Sequence, residues 1–234
     1  MKLIQHGENL WQLRRLLAFN CYLVREEDGL TLVDSGLKGS GKEIMRAVNS
    51  IGLPLRRITL THAHVDHIGS LDEVSAMAPE AAVAFGARTA AFLRGELDLH
   101  ADEPQAELRG GFETRETQPT RILEIGDVVG SLRVVAAPGH APDQIAFLDE
   151  RDATLLAGDA FQTMAGTAVA GTMRWLFPFP ALATWHRATA LESAIRLRAL
   201  NPRRLAVGHG PVLAQPAELM DAAIREARDG FDGG

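Results

Sequence analysis

Cysteine, tyrosine and net positive charge are what this 234-residue chain lacks: it holds one cysteine, one tyrosine and a formal charge of −6. The lone Cys21 excludes an internal disulfide and any multi-cysteine zinc site, and fits a reducing compartment. Lys and Arg number 24 against 30 Asp and Glu and are spread along the chain rather than gathered in blocks, which argues against nucleic acid as a partner. No run approaches the ~18 apolar residues that a membrane helix needs. Met1 to Gly7 shows no charged head followed by an apolar stretch, so no export signal is expected either. The expectation is a cytoplasmic chain that does not engage a membrane. No fixed-period repeat, low-complexity tract or Pro/Gly linker divides it, and one domain over residues 1–234 is expected.

Short apolar runs fill the opening third: Leu3-Ile4, Leu10 to Leu13, Cys21 to Val24 and Leu30 to Val33, separated by His6-Gly7 and Glu26-Glu27-Asp28-Gly29. They predict an antiparallel meander. Ile44, Ala47, Val48 and Ile51 then recur at helical spacing before Gly52, predicting a helix over 40–51. Further strands are predicted at Ile58 to Leu60, Ala82 to Phe85, Arg121 to Ile125, Leu132 to Ala136, Ile145 to Leu148, Thr154 to Ala157 and Leu205 to Val207. Helices are predicted from Ile68 to Pro79, at Thr89 to Leu93, over 185–200 and over 217–228. Residues 95–120 are polar and aperiodic, which reads as a long loop or a lid with one helical turn in it. Strands lead each half and helices intersperse, so two sheets with helices outside them are more plausible than one doubly wound sheet.

Residues 61–69 read Thr-His-Ala-His-Val-Asp-His-Ile-Gly, placing three histidines and an aspartate within six positions after a buried strand. Random placement would give this spacing only about five times in ten thousand, so chance is a poor explanation. Two histidines under-coordinate a metal, so further ligands must come from elsewhere. His140 in Ala-Pro-Gly-His, Asp159 in Ala-Gly-Asp and His209 in Gly-His-Gly each follow an apolar run and sit beside glycine, where backbone can approach an ion. Asp34, in Val-Asp-Ser-Gly, has the same context.

From Asp34 to His209 the chain resembles the metallo-β-lactamase superfamily. The resemblance implies an α/β, four-layer αβ/βα sandwich of two mixed β-sheets with helices on the outer faces. It makes His62, His64 and His140 the ligands of one metal ion and Asp66, His67 and His209 those of a second. Asp159 would bridge the two, and Asp34 would support a ligand from behind. Two divalent ions are implied, with zinc the first choice and iron or manganese also accepting such ligands. The implied activity is hydrolysis of a small-molecule carbonyl ester bond, a thioester or lactone, by a metal-bridging hydroxide, with Asp66 or a water returning the proton. Asp159 stands where one group of zinc β-lactamases uses cysteine, which points away from β-lactam cleavage. The rival readings are a mononuclear-iron persulfide dioxygenase, a phosphodiesterase and a noncatalytic metal-binding module.

Phe161, Trp175, Phe177, Phe179 and Trp185 crowd the segment 161–185, with Arg174 among them. Phe161, Arg174, Trp175, Phe177 and Phe179 are candidates for a substrate wall, with Arg174 as a carboxylate anchor; the same apolar segment would otherwise bury itself in a homodimer. Cys21 is expected to be a small buried residue. His6, His100 and His186 are isolated, and surface or helix roles are expected for them.

Overall fold

A computed structural model describes residues 1–231. In chain order the elements are β1 (Lys2–His6), β2 (Leu10–Arg15), β3 (Phe19–Glu26), β4 (Gly29–Val33), α1 (Gly41–Ile51), β5 (Leu55–Thr59), α2 (Val65–Ile68), α3 (Leu71–Met77), β6 (Ala82–Gly86), α4 (Ala87–Leu93) and β7 (Arg121–Leu123). They continue as β8 (Val128–Val129), β9 (Leu132–Ala136), β10 (Ile145–Asp149), β11 (Thr154–Leu156), β12 (Phe161–Gln162), β13 (Ala168–Val169), α5 (Phe179–Leu182), α6 (Arg187–Ala199), β14 (Arg204–Ala206), β15 (Leu213–Ala214) and α7 (Ala217–Phe231).

Strands β1 to β7 form one sheet in sequential order. The first four are an antiparallel meander, as their turn signals predict, and β4 to β7 are parallel because helices connect them. The second sheet runs β15-β14-β11-β10-β9-β8 and is also mixed, with β11 and β14 parallel and its other neighbours antiparallel.

Side-chain alternation along the strands explains why the two sheets stack and why helices cover both outer faces. On β3, Cys21 and Leu23 point into a core shared with Ile44 and Val48 of α1, whereas Tyr22 and Val24 point the other way. There they meet Leu132, Val134, Ile145 and Phe147 from the second sheet. Ala146 and Leu148 of β10 in turn face Ala194, Leu197 and Met220 on α6 and α7. Three apolar layers therefore separate four structural layers, which is the αβ/βα sandwich expected. Strands buried on both faces read as unbroken apolar runs rather than as alternation. Among the described residues no helix is long and apolar enough to cross a membrane.

Candidate metal centre

The loops that leave β4, β5, β9, β11 and β14 meet at one edge of the sandwich. Backbone bonds between them fix their relative positions: Ile145 N–H donates to Thr61 O at 2.9 Å, Gly208 N–H to Gly158 O at 2.9 Å, and Asn20 N–H to Gly208 O at 2.9 Å. Seven side chains from four of these loops converge, although His62 and His209 are far apart in sequence. His62 Nε2 lies 3.1 Å from His64 Nδ1, which lies 3.0 Å from His140 Nε2. His209 Nε2 lies 3.3 Å from Asp66 Oδ2 and 3.0 Å from Asp159 Oδ2. Asp159 stands between the sets, its Oδ1 at 3.3 Å from His67 Nε2 and its Oδ2 at 3.3 Å from His140 Nε2. His62, His64 and His140 form one group able to hold an ion; Asp66, His67 and His209 form another.

The outer faces of the rings show what the inner faces carry. Arg109 O can only accept, so His64 Nε2, 2.9 Å away, is protonated and Nδ1 keeps its lone pair. Thr61 Oγ1 gives its single proton to Asp34 Oδ2 at 2.8 Å and therefore accepts from His62 Nδ1 at 3.0 Å. Thr184 Oγ1 donates to Pro180 O at 2.7 Å and accepts from His140 Nδ1 at 3.2 Å. Three imidazole lone pairs thus face one another about 3 Å apart inside a buried site. Lone pairs do not hydrogen-bond one another, and a shared cation is the partner that satisfies all three. The donor set fits a divalent ion.

Electrostatics separates the two groups. Burial pushes the pKa values of His62 and His64 down, and that of His140 down to about 3, so all three are neutral near pH 7, the form that ligates a metal. For His67 and His209 burial acts in the same direction but is outweighed. Asp159, Asp34 and Asp66 raise His67 well above its ordinary value, and Asp159 and Asp66 lift His209 to about 9. Burial disfavours charge on Asp66 and Asp159, yet His67 and His209 hold both carboxyls below their usual range. His67 Nε2 and Asp159 Oδ1 nevertheless have no hydrogen-bond partner among the described residues, so the buried Asp159 carboxylate is incompletely satisfied by protons.

Asp34 lies behind the His67 ring and Thr61. Its carboxylate accepts from Thr61 N at 2.7 Å, Thr61 Oγ1 at 2.8 Å and His67 Nδ1 at 2.8 Å. It adopts φ 62°, a left-handed conformation that is costly for a non-glycine residue and that the three bonds hold in place. Gly208 is required for a different reason: a Cβ there would collide with Asp159 Oδ1 and the His67 ring.

A cavity of about 490 Å³ opens onto the centre. His64, Asp66, His140, Asp159 and His209 form its floor, with Phe19, Leu37, Phe179 and Leu182 among its walls. Of the five residues expected as a substrate wall, only Phe179 lines this cavity. Phe177 packs behind it, its ring centroid 5.3 Å from that of His209. The other three expectations are corrected. Phe161 is fully buried on β12 in the core beneath α6 and α7. Arg174 is no anchor, because it pairs with Glu226 of α7 at 2.7 Å and donates to Thr167 O. Trp175 lies 87% exposed and does not line the cavity.

The segment 95–120 contains no helix. It is a strap bonded to the body through Arg88–Glu103, Trp185 Nε1 to Ala106 O, and Thr117 to Asp72. Its Gly110 and Gly111 line the cavity. A side chain at Gly110, which has φ 87°, would strike the His64 ring. Sequence reasoning missed Thr61, Thr184 and the Arg109 carbonyl. Thr61 opens the histidine motif, but the other two carry no local signal. His186 proves to be the N-cap of α6, His6 bonds Gln12, and Cys21 is buried.

A family model described as the metallo-beta-lactamase superfamily matches residues 15–209. Over 98% of its length the chain is 46% identical to the "Uncharacterized protein YobT" of Bacillus subtilis, covering all of that relative. It is 27% identical over 82% of its length to the "Probable metallo-hydrolase YflN" of the same bacterium, covering 80% of it. A solved metallo-beta-lactamase from Pontibacter korlensis shares the fold, with a TM-score of 0.71 and 15% identity over 97% of this chain and 99% of that one.

Proposed function

The chain belongs to the metallo-β-lactamase superfamily, and on that premise we propose that it is a binuclear metallohydrolase that cleaves a carbonyl ester, thioester or lactone. His62, His64 and His140 hold one divalent ion, Asp66, His67 and His209 hold the second, and Asp159 reaches both. Zinc is the proposed metal. The observation that carries this reading is the three inward lone pairs of His62, His64 and His140, fixed by bonds on the outer faces of their rings. Bound ions of this kind supply a Lewis acid for the carbonyl and a water acidified toward neutrality.

The chain's own residues supply the rest. Asp34 holds the His67 tautomer through Nδ1, and the Arg109 carbonyl does the same for His64 through Nε2. Asp66 is the least buried member of the set, its side chain 21% accessible and lining the cavity. It is the carboxylate placed to carry a proton between the centre and a leaving group. Burial of the remaining ligands keeps bulk water from competing at the reacting bond.

Elemental analysis coupled to a panel of thioesters, lactones and phosphodiesters tests the reading. Two ions per chain and turnover of a carbonyl substrate, lost in a folded His140→Ala variant, support it. One iron per chain with oxygen uptake on a persulfide overturns it in favour of a dioxygenase.

A further inference from the structure

Resting on that hydrolase reading, we infer that the substrate is an uncharged ester or thioester with an apolar acyl arm, and that the cavity selects against an anionic group on that arm. Away from the metal ligands the walls are Phe19, Leu37, Val65, Phe179 and Leu182, together with small or backbone-only contacts. Among the described residues no lysine or arginine lines the cavity. Two of the nearby guanidinium groups are engaged elsewhere. Arg15 donates to Lys38 O and Ser40 Oγ. Arg174 is paired with Glu226. Arg109 gives the centre only its carbonyl, and it lines a separate hollow with Trp185 and Arg187. Lys38 is exposed and follows Leu37 without lining the cavity.

Charge and shape therefore divide along the cavity. Positive charge belongs to the floor, where the ions bind, beside the carboxylates of Asp66 and Asp159. An anion placed against the walls would lose hydration and gain no cationic partner. An alkyl arm there would cover Phe19, Phe179 and Leu182. Phe179 and Leu182 remain 62% and 56% exposed, so apolar contact continues to the mouth. The volume of about 490 Å³ is ample for a ligand of several carbons beyond the reacting bond.

The test uses the metal-loaded chain and p-nitrophenyl esters of acetate, butyrate, hexanoate and the monoester of adipate. Adipate matches hexanoate in length but ends in a carboxylate. Specificity is expected to rise about threefold to fourfold per buried methylene up to hexanoate, and hexanoyl is expected to exceed adipoyl at least tenfold. Leu182→Lys should erase most of the hexanoyl preference, while a Lys38→Ala variant should leave it unchanged. Equal rates across acyl length, or adipoyl preferred over hexanoyl, overturn the inference and leave the hydrolase reading standing. Absence of turnover on every ester, thioester and lactone sinks the hydrolase reading instead. Calorimetry with hexanoate and adipate then decides the cavity's preference alone: tighter hexanoate supports the inference, and equal or tighter adipate overturns it.

Discussion

The two halves of the metal centre are built differently. In the His62, His64, His140 half, each ring has its outer nitrogen tied to a fixed acceptor, Thr61 Oγ1, Arg109 O or Thr184 Oγ1, and all three rings are buried. In the other half only His67 is tied in this way, by Asp34. Asp66 is partly exposed, and His209 Nδ1 finds no partner among the described residues. His209 is held instead by packing and by its backbone. Phe19 and Phe177 bring their ring centroids to 5.2 and 5.3 Å of it. Asn20 and Tyr22 donate to Val207 O, and Thr163 N–H donates to His209 O. A hydrogen bond on the outer nitrogen fixes both tautomer and ring rotation, whereas packing fixes only position. The first half is a rigid site and the second an adjustable one, so the second ion should be the weaker.

The largest expected effect comes from removing one ligand from each half. His140→Ala should abolish turnover by ~10³-fold or more, the loss expected when Lewis-acid stabilisation of several kcal/mol disappears. His209→Ala should leave one ion bound, counted by elemental analysis. If His209→Ala empties the whole centre, the two halves are not separable.

Behind the first half, Asp143 accepts from Thr89 Oγ1 at 2.9 Å and from the Ala63 backbone. Burial raises its carboxyl to about 6. The folded chain therefore holds this proton more tightly than the unfolded one, so the contribution is fully present below pH ~4 and is lost as pH rises through about 6. The loss is on the order of 3 kcal/mol. Asp143→Asn cannot ionise, so its stability relative to the parent should increase between pH 4 and 7 in denaturant melts. A pH-independent difference would contradict the assignment.

Asp34→Ala removes the one outer bond of the second half and also frees the Thr61 hydroxyl that orients His62, so affinity for the second ion should fall roughly 10- to 100-fold and that for the first by less. Thr184→Val should have the smallest effect, about tenfold on the first ion, because His140 keeps its packing. Competition titrations with a chromophoric chelator read both. Equal loss from both halves in either variant would erase the distinction.

What was legible in the sequence follows from how locally each feature is encoded. β9 runs Leu132–Ala136, the bounds its apolar run predicts, and α1 and α7 follow their periodic faces. The candidate ligands were legible because four of the seven share one turn and the others follow apolar strands beside glycine. The wall was not. Residues 161–185 form an apolar cluster in sequence, but the chain divides it among a core strand, an ion pair with α7, solvent and the cavity. The actual walls come from segments as distant as Phe19, Leu37 and Leu182, a juxtaposition that periodicity does not encode. Polarity alone suggested a long loop or a lid with one helical turn at 95–120, whereas hydrogen bonds to Asp72, Arg88 and Trp185 make it a strap.

Metal counting during a stepwise chelator titration, followed by elemental analysis at each plateau, tests the centre most directly. Two divalent ions per chain are expected at the start, with one leaving first and the ion on His62, His64 and His140 persisting. A chain that never holds more than one ion, or that releases two together, would contradict the unequal binuclear centre.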